Sequence, residues 1–182
     1  MLSVVVLGIY NTKVGIPYLE GNSLFLFDEN WGNERGAIFK VTFELWERMS
    51  PIQKLFGVGA DGFSVFSYSI PEIHSYLQSY FGNITLTNAH CEILTSLINV
   101  GIVGTVAYIS IFVTFVIRCM KQAETHPLAY IPVICVICYF ANNLISFAQV
   151  LNFPYLFLIL GMGECFLKNK KETIDNAVKC DI

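Results

Sequence analysis

The chain has 182 residues, of which 54% are hydrophobic and only 14% charged, whereas a soluble domain carries about a quarter charged residues. A mean hydropathy of +0.57 points to a membrane protein, and a formal net charge of −3 with no basic stripe excludes a nucleic-acid partner. The six cysteines lie mostly in or beside apolar segments and do not read as a disulfide framework.

MLSVVVLGI, residues 1–9, is apolar but too short to span a bilayer. It has neither the basic n-region nor the cleavage site of a signal peptide. It reads as the end of a membrane helix, and the chain as the C-terminal part of a longer protein. Tyr10 to Asn33 is rich in turn formers and reads as loop.

Glu34 to Met49 has helical periodicity. Asn33 is the expected N-cap and Glu34 suits the first turn. Ile38, Phe39, Val41, Phe43, Leu45, Trp46 and Met49 fall on one broad arc, with Lys40, Glu44, Glu47 and Arg48 opposite. The helix is too short and too charged to span, so it is expected at the membrane interface or against the bundle. Arg35 is out of place in it. It projects into the apolar arc near Thr42 and Trp46, and it sits in the first turn, where the helix dipole disfavours a cation. Snorkelling, or pairing with Glu34 or Asp28, is the plain account; a bound anion is the functional one.

Pro51 ends that helix. Gly57-Val58-Gly59-Ala60-Asp61-Gly62 matches G-x-G-x-x-G, but no βαβ unit surrounds it, so a nucleotide site is rejected in favour of a tight turn. Ser64 to Thr87 reads as a second polar stretch whose aromatics suit a membrane interface. It includes the sequon Asn83-Ile84-Thr85 and a loop histidine, His74. Asn88-Ala89-His90 then stands at the mouth of an uncharged segment, Ile93 to Ile117, long enough to cross the roughly 30 Å hydrocarbon core with some tilt.

Arg118 and Lys121 follow, then two further apolar runs, Leu128 to Phe147 and Val150 to Leu167, the last closed by Lys168, Lys170 and Lys171. Asn142 and Asn143 inside the second run need partners on neighbouring helices. Cys135 and Cys138 form a C-x-x-C in that run and read as packing. The positive-inside rule puts the Arg118–Lys121 link and the Lys168–Lys171 tail in the cytoplasm, and Tyr10 to Cys91 outside. The expected architecture is all-α. Residues 1–9 end a truncated membrane helix, and 10–91 form a large extracytoplasmic loop with helix 34–49. Residues 92–167 hold three spans, near 93–117, 128–147 and 150–167, and 168–182 form a cytoplasmic tail.

An arginine ahead of a tryptophan-bearing helix, then LFGVGADGF at 55–63, then Ala89-His90, then Gly101-Ile102-Val103-Gly104 in a span, occur in that order. In this order and spacing the stretch from Glu34 to Leu167 resembles the C-terminal half of the O-antigen ligase/polymerase family. Those multi-span bacterial membrane proteins move glycans from undecaprenyl-pyrophosphate carriers on the outer side of the inner membrane. Two positions depart from the family pattern. Cys91 follows the histidine where Asn is common, and Asn99 stands where Glu often precedes the G-x-x-G.

The resemblance implies His90 and Arg35 as catalytic residues, with Arg48, Gly57 and Gly59 binding substrate. It implies a lipid-linked oligosaccharide donor, a saccharide, lipid or protein acceptor, and an active side facing out of the plasma membrane. The residue types suit that chemistry. An arginine at a helix N-terminus can hold the pyrophosphate in two-pronged, charge-assisted bonds. A histidine at the start of a span, kept neutral by the helix dipole, can take the acceptor's proton. No cluster of acidic and histidine residues suggests a metal, and no cofactor is expected. The rival reading is a transporter or a structural membrane segment, with Asn142, Asn143 and Glu164 marking a pathway.

Overall fold

The computed structural model describes residues 28–124, 127–144, 146 and 153–180. The apolar stub at 1–9 and the loop expected before Asp28 lie outside the described residues, as do positions 145, 147 and 150–152 of the expected spans. Among the described residues every regular element is helical. They are α1 (Trp31–Arg48), α2 (Pro51–Phe56), α3 (Gly62–Ser69), α4 (Pro71–Phe81), α5 (Glu92–Ala123), a 3-10 turn (Pro127–Ala129), α6 (Tyr130–Asn143) and α7 (Phe153–Cys180). The chain divides into two units, residues 1–102 and 103–182, so the division falls inside α5.

The first unit has its own core. α1 buries Ala37, Ile38, Val41, Thr42 and Leu45, one face at helical spacing. Thr42 is tolerated there because its hydroxyl donates to the Ile38 carbonyl at 2.7 Å. Met49 leaves the helix in an extended conformation. Ser50 then opens α2 with a capping box: its hydroxyl accepts from the Gln53 N–H at 3.3 Å, and Gln53 Oε1 accepts from the Ser50 N–H at 2.9 Å. Pro51 therefore begins a helix as well as ending one, its fixed φ suiting the first turn.

The stretch read as polar loop from Ser64 to Thr87 is mostly helix. α3 buries Phe63 and Ser67, and α4 buries Ile73 and Leu77, in each case one turn apart. Phe63, Ile73 and Leu77 join Ile38, Val41, Leu45, Met49, Leu86, Ala89 and Ile98 in a single cluster. The region between residue 28 and α5 is thus a small helical domain rather than a connecting loop.

The second unit is built on Phe112, Phe115 and Cys119 of α5, Val133 and Val136 of α6, and Leu156 of α7. Phe112 meets Phe140 edge to face, with ring centres 4.9 Å apart. Gly163 lets α7 close on the Phe115 ring, which a Cβ there would meet at 2.3 Å. Arg118 and Glu164 pair through two bonds, 2.6 and 2.9 Å. Among the described residues one helix, α5, is long and apolar enough to cross a membrane; Pro127–Asn143 and Phe153–Cys165 are shorter apolar helices.

Candidate functional site

Arg35 is the first residue of regular helix in α1. The three residues before it, Gly32, Asn33 and Glu34, all have positive φ, near 62°, 62° and 67°. Glycine adopts this freely and asparagine tolerates it, but Glu34 carries strain of about 1–3 kcal/mol. The expected cap at Asn33 is accordingly replaced by a left-handed turn.

Several contacts hold that turn. The Asp28–Glu29 backbone lies across the helix start, and a Cβ on Gly36 would stand 1.8 Å from the Asp28 carbonyl oxygen. The Ala37 N–H donates to the Glu29 carbonyl at 3.0 Å, and Trp31 N–H to that of Asp28 at 3.1 Å. Lys40 pairs with the Glu29 carboxylate, and the Tyr80 hydroxyl donates to Asn30 Oδ1 at 2.7 Å. The neighbouring Tyr76 hydroxyl is pushed up to about 12, first by burial and then by the Glu29 carboxylate it faces.

His90 is also held in a left-handed conformation, φ 49°. Its N–H donates to Asn88 Oδ1 at 3.0 Å, a local turn made by the asparagine side chain. Thr95 ties the residues on either side of His90 to α5. Its hydroxyl accepts from the Ala89 N–H at 3.0 Å and donates to the Cys91 carbonyl at 2.9 Å. His90 is half-buried, and burial holds its imidazole below the usual histidine range. The positive charge of Arg35 lowers it further. The neutral imidazole expected from the sequence is favoured by burial and by Arg35.

Arg35 is thus within electrostatic reach of His90. An apolar cleft of about 100 Å³ follows on the same elements, lined by Thr42, Phe43 and Trp46 of α1 and by Leu94, Leu97 and Ile98 of α5. Thr42 and Trp46 share the Arg35 face of α1, two and three turns on, and Leu94 lies in the first turn of α5, just after His90 in the chain. A cation and a half-buried histidine thus belong to the same two chain segments as an apolar cleft, a combination that suits an amphipathic ligand with an anionic head.

The other three expected residues are elsewhere or otherwise engaged. Arg48 is at the far end of α1, about 20 Å along the axis from Arg35. It is exposed and bonded to Glu44 at 2.6 Å and Glu72 at 3.0 Å. Gly57 (φ 80°) is pressed against α5, where a Cβ would meet the Asn99 carbonyl oxygen at 2.1 Å. α5 breaks beside it at Gly101 (φ 68°, ψ −172°). Carbonyls that the break leaves without their usual helical donors accept from the turn: Val58 N–H to Ile98 at 2.9 Å and Gly59 N–H to Asn99 at 3.0 Å. The G-x-G turn is thus fastened to the broken helix, and the Gly59 N–H is already used.

Sequence reasoning missed the role of Asn99, which was noted only as a departure from the family pattern. Its side-chain oxygen accepts from the Phe63 N–H at 2.9 Å and so caps the first turn of α3. The groups proposed for a transport pathway are engaged with one another: Glu164 with Arg118, and Asn142 Nδ2 with Asn143 Oδ1 at 3.1 Å. Comparison with models of protein families, with curated proteins and with solved structures finds no match. The functional reading rests on the geometry of this chain and on the motif order.

Proposed function

We propose that the chain is part of a membrane glycosyltransferase of the O-antigen ligase/polymerase type. It would transfer a glycan from an undecaprenyl-pyrophosphate donor to a hydroxyl on a saccharide, lipid or protein. The observation that carries this reading is that Arg35 lies within electrostatic reach of a half-buried His90, on the segments that also line the Thr42–Ile98 cleft. Under this reading α5, α6 and α7 cross the plasma membrane and the first unit faces outward.

In the reaction Arg35 holds the pyrophosphate and stabilises the charge that grows on it as the bond to the anomeric carbon breaks. The acceptor oxygen forms the new bond to that carbon, and its proton passes to the His90 imidazole. The products are the glycosylated acceptor and undecaprenyl pyrophosphate. Donor binding also neutralises Arg35. That removes one of the two causes that depress His90, so the imidazole becomes a stronger base when a substrate is present.

The test is transfer from a purified lipid-linked donor by membranes containing the protein. His90→Ala should lose transfer by about 10²-fold or more, the usual share of a general base, with expression unchanged. Arg35→Lys should also be damaging, because an ammonium cannot reproduce the planar two-pronged bond. Wild-type transfer by either variant would refute the mechanism.

A further inference from the structure

α2 has no buried side chain. Ile52 is 72% exposed, Phe56 64% and Leu55 45%, three large apolar groups on a helix of six residues. The capping box at Ser50 and Gln53 fixes the start of this helix, and the packing of Leu55 and Gly57 against Gly101 fixes its end. The apolar side chains are thus held outward by a defined backbone. The only charged residue of α2, Lys54, is turned back over the Trp46 ring, 5.8 Å from its centre.

The position of α2 along α5 identifies what covers it. Ile98 is 1% exposed, inside the core of the first unit. Just beyond it α5 shows apolar side chains at the surface: Val100, Ile102, Val103 and Val106 are all exposed. The core of the first unit therefore stops covering α5 near Asn99–Gly101, where the backbone of Leu55–Gly57 docks. α5 is also the helix long and apolar enough to cross a membrane. A short apolar helix whose single charge, Lys54, is turned onto Trp46, beside the point where such a helix leaves the core of the first unit, has the make-up of an interfacial membrane segment.

We propose that α2 lies in the membrane interface and inserts Ile52, Leu55 and Phe56 among the acyl chains of the leaflet that α5 enters at Gly101. The occupant of this apolar face is lipid. The inference uses nothing from glycan transfer and stands or falls separately from it.

The test uses the full chain in phospholipid vesicles whose acyl chains carry a terminal diazirine, with adducts located by mass spectrometry after irradiation. Adducts are expected on residues 51–56 as well as on residues 102–117 of α5. Ile52→Asn combined with Phe56→Asn changes only exposed side chains, and should lose the α2 adducts while keeping those on α5. Labelled α5 with unlabelled wild-type α2 overturns the proposal, as does a cross-link showing a second copy or another helix over α2. Absence of adducts on both segments overturns it too, because α2 is placed by α5.

Discussion

Arg35 and His90 are two residues in awkward local positions, and the charge of one acts on the other. A cation in the first turn of a helix is disfavoured, and Glu34 immediately before it is in a strained left-handed conformation. His90 is strained in the same sense. Local hydrogen bonds hold both turns, and the two residues lie within electrostatic reach. Arg35→Gln should raise the His90 pKa toward its ordinary value without reaching it, since burial, the larger cause, remains. Imidazole resonances followed by NMR in detergent micelles measure this; an unchanged pKa would mean that the two do not interact. The linkage has a definite sign. The folded pKa lies below the unfolded one, so the unfolded chain binds more protons between them and stability rises with pH. The contribution is present above the unfolded value and is lost as pH falls through the folded one. Arg35→Gln should narrow that window.

At the level of elements, the break in α5 and the turn after α2 form one device. Gly57 and Gly101 both have positive φ, and each would drive a Cβ into the other strand of backbone, at 2.1 Å from the Asn99 oxygen and 2.4 Å from that of Leu55. Gly57→Ala or Gly101→Ala should each cost at least about 2 kcal/mol, combining conformational strain with collision. Gly161→Ala meets nothing within 4 Å in a helix, and should be neutral or stabilise by up to about 1 kcal/mol. Apparent unfolding temperatures in detergent would separate the two classes. The sequence reading went further for some elements than for others. The buried face of α1 was legible because Ile38, Val41 and Leu45 repeat over several turns. α3 and α4 were not, because each buries only two residues one turn apart within a run of Ser and Tyr. The Gly57–Gly101 contact was hidden for another reason. It joins residues distant in sequence, and a glycine in an apolar segment reads equally as a packing residue or as a break. Of the expected site, Arg35 stood out because it violates local rules, and His90 through its place at the mouth of the apolar segment and the motif order. Arg48 looked equally cationic, but its partners Glu44 and Glu72 appear only once α1 and α4 are placed in space.

For the whole molecule the deciding question is which side of the membrane holds the first unit. Lysine and arginine near the ends of a span set its orientation, and acidic residues count for little. From Pro71 to Cys91, ahead of α5, there is no Lys or Arg, whereas Arg118 and Lys121 follow its apolar run at once. The pairing of Arg118 with Glu164 does not alter this bias, since the rule counts cations rather than net charge. The first unit is therefore expected outside and the end of α5 in the cytoplasm. Ser69 at the end of α3 and Glu124 just past α5 are both exposed and serve as reporters. In a background with the native cysteines replaced, Ser69→Cys should react with an impermeant maleimide in intact cells, and Glu124→Cys only after the membrane is permeabilised. Reaction at both positions in intact cells would mean that α5 does not span. Reaction at position 124 alone would invert the protein and put Arg35 and His90 in the cytoplasm. That orientation is incompatible with transfer from a carrier lipid presented on the outer face, and it would end the glycosyltransferase proposal while leaving the interfacial placement of α2 intact, now in the inner leaflet.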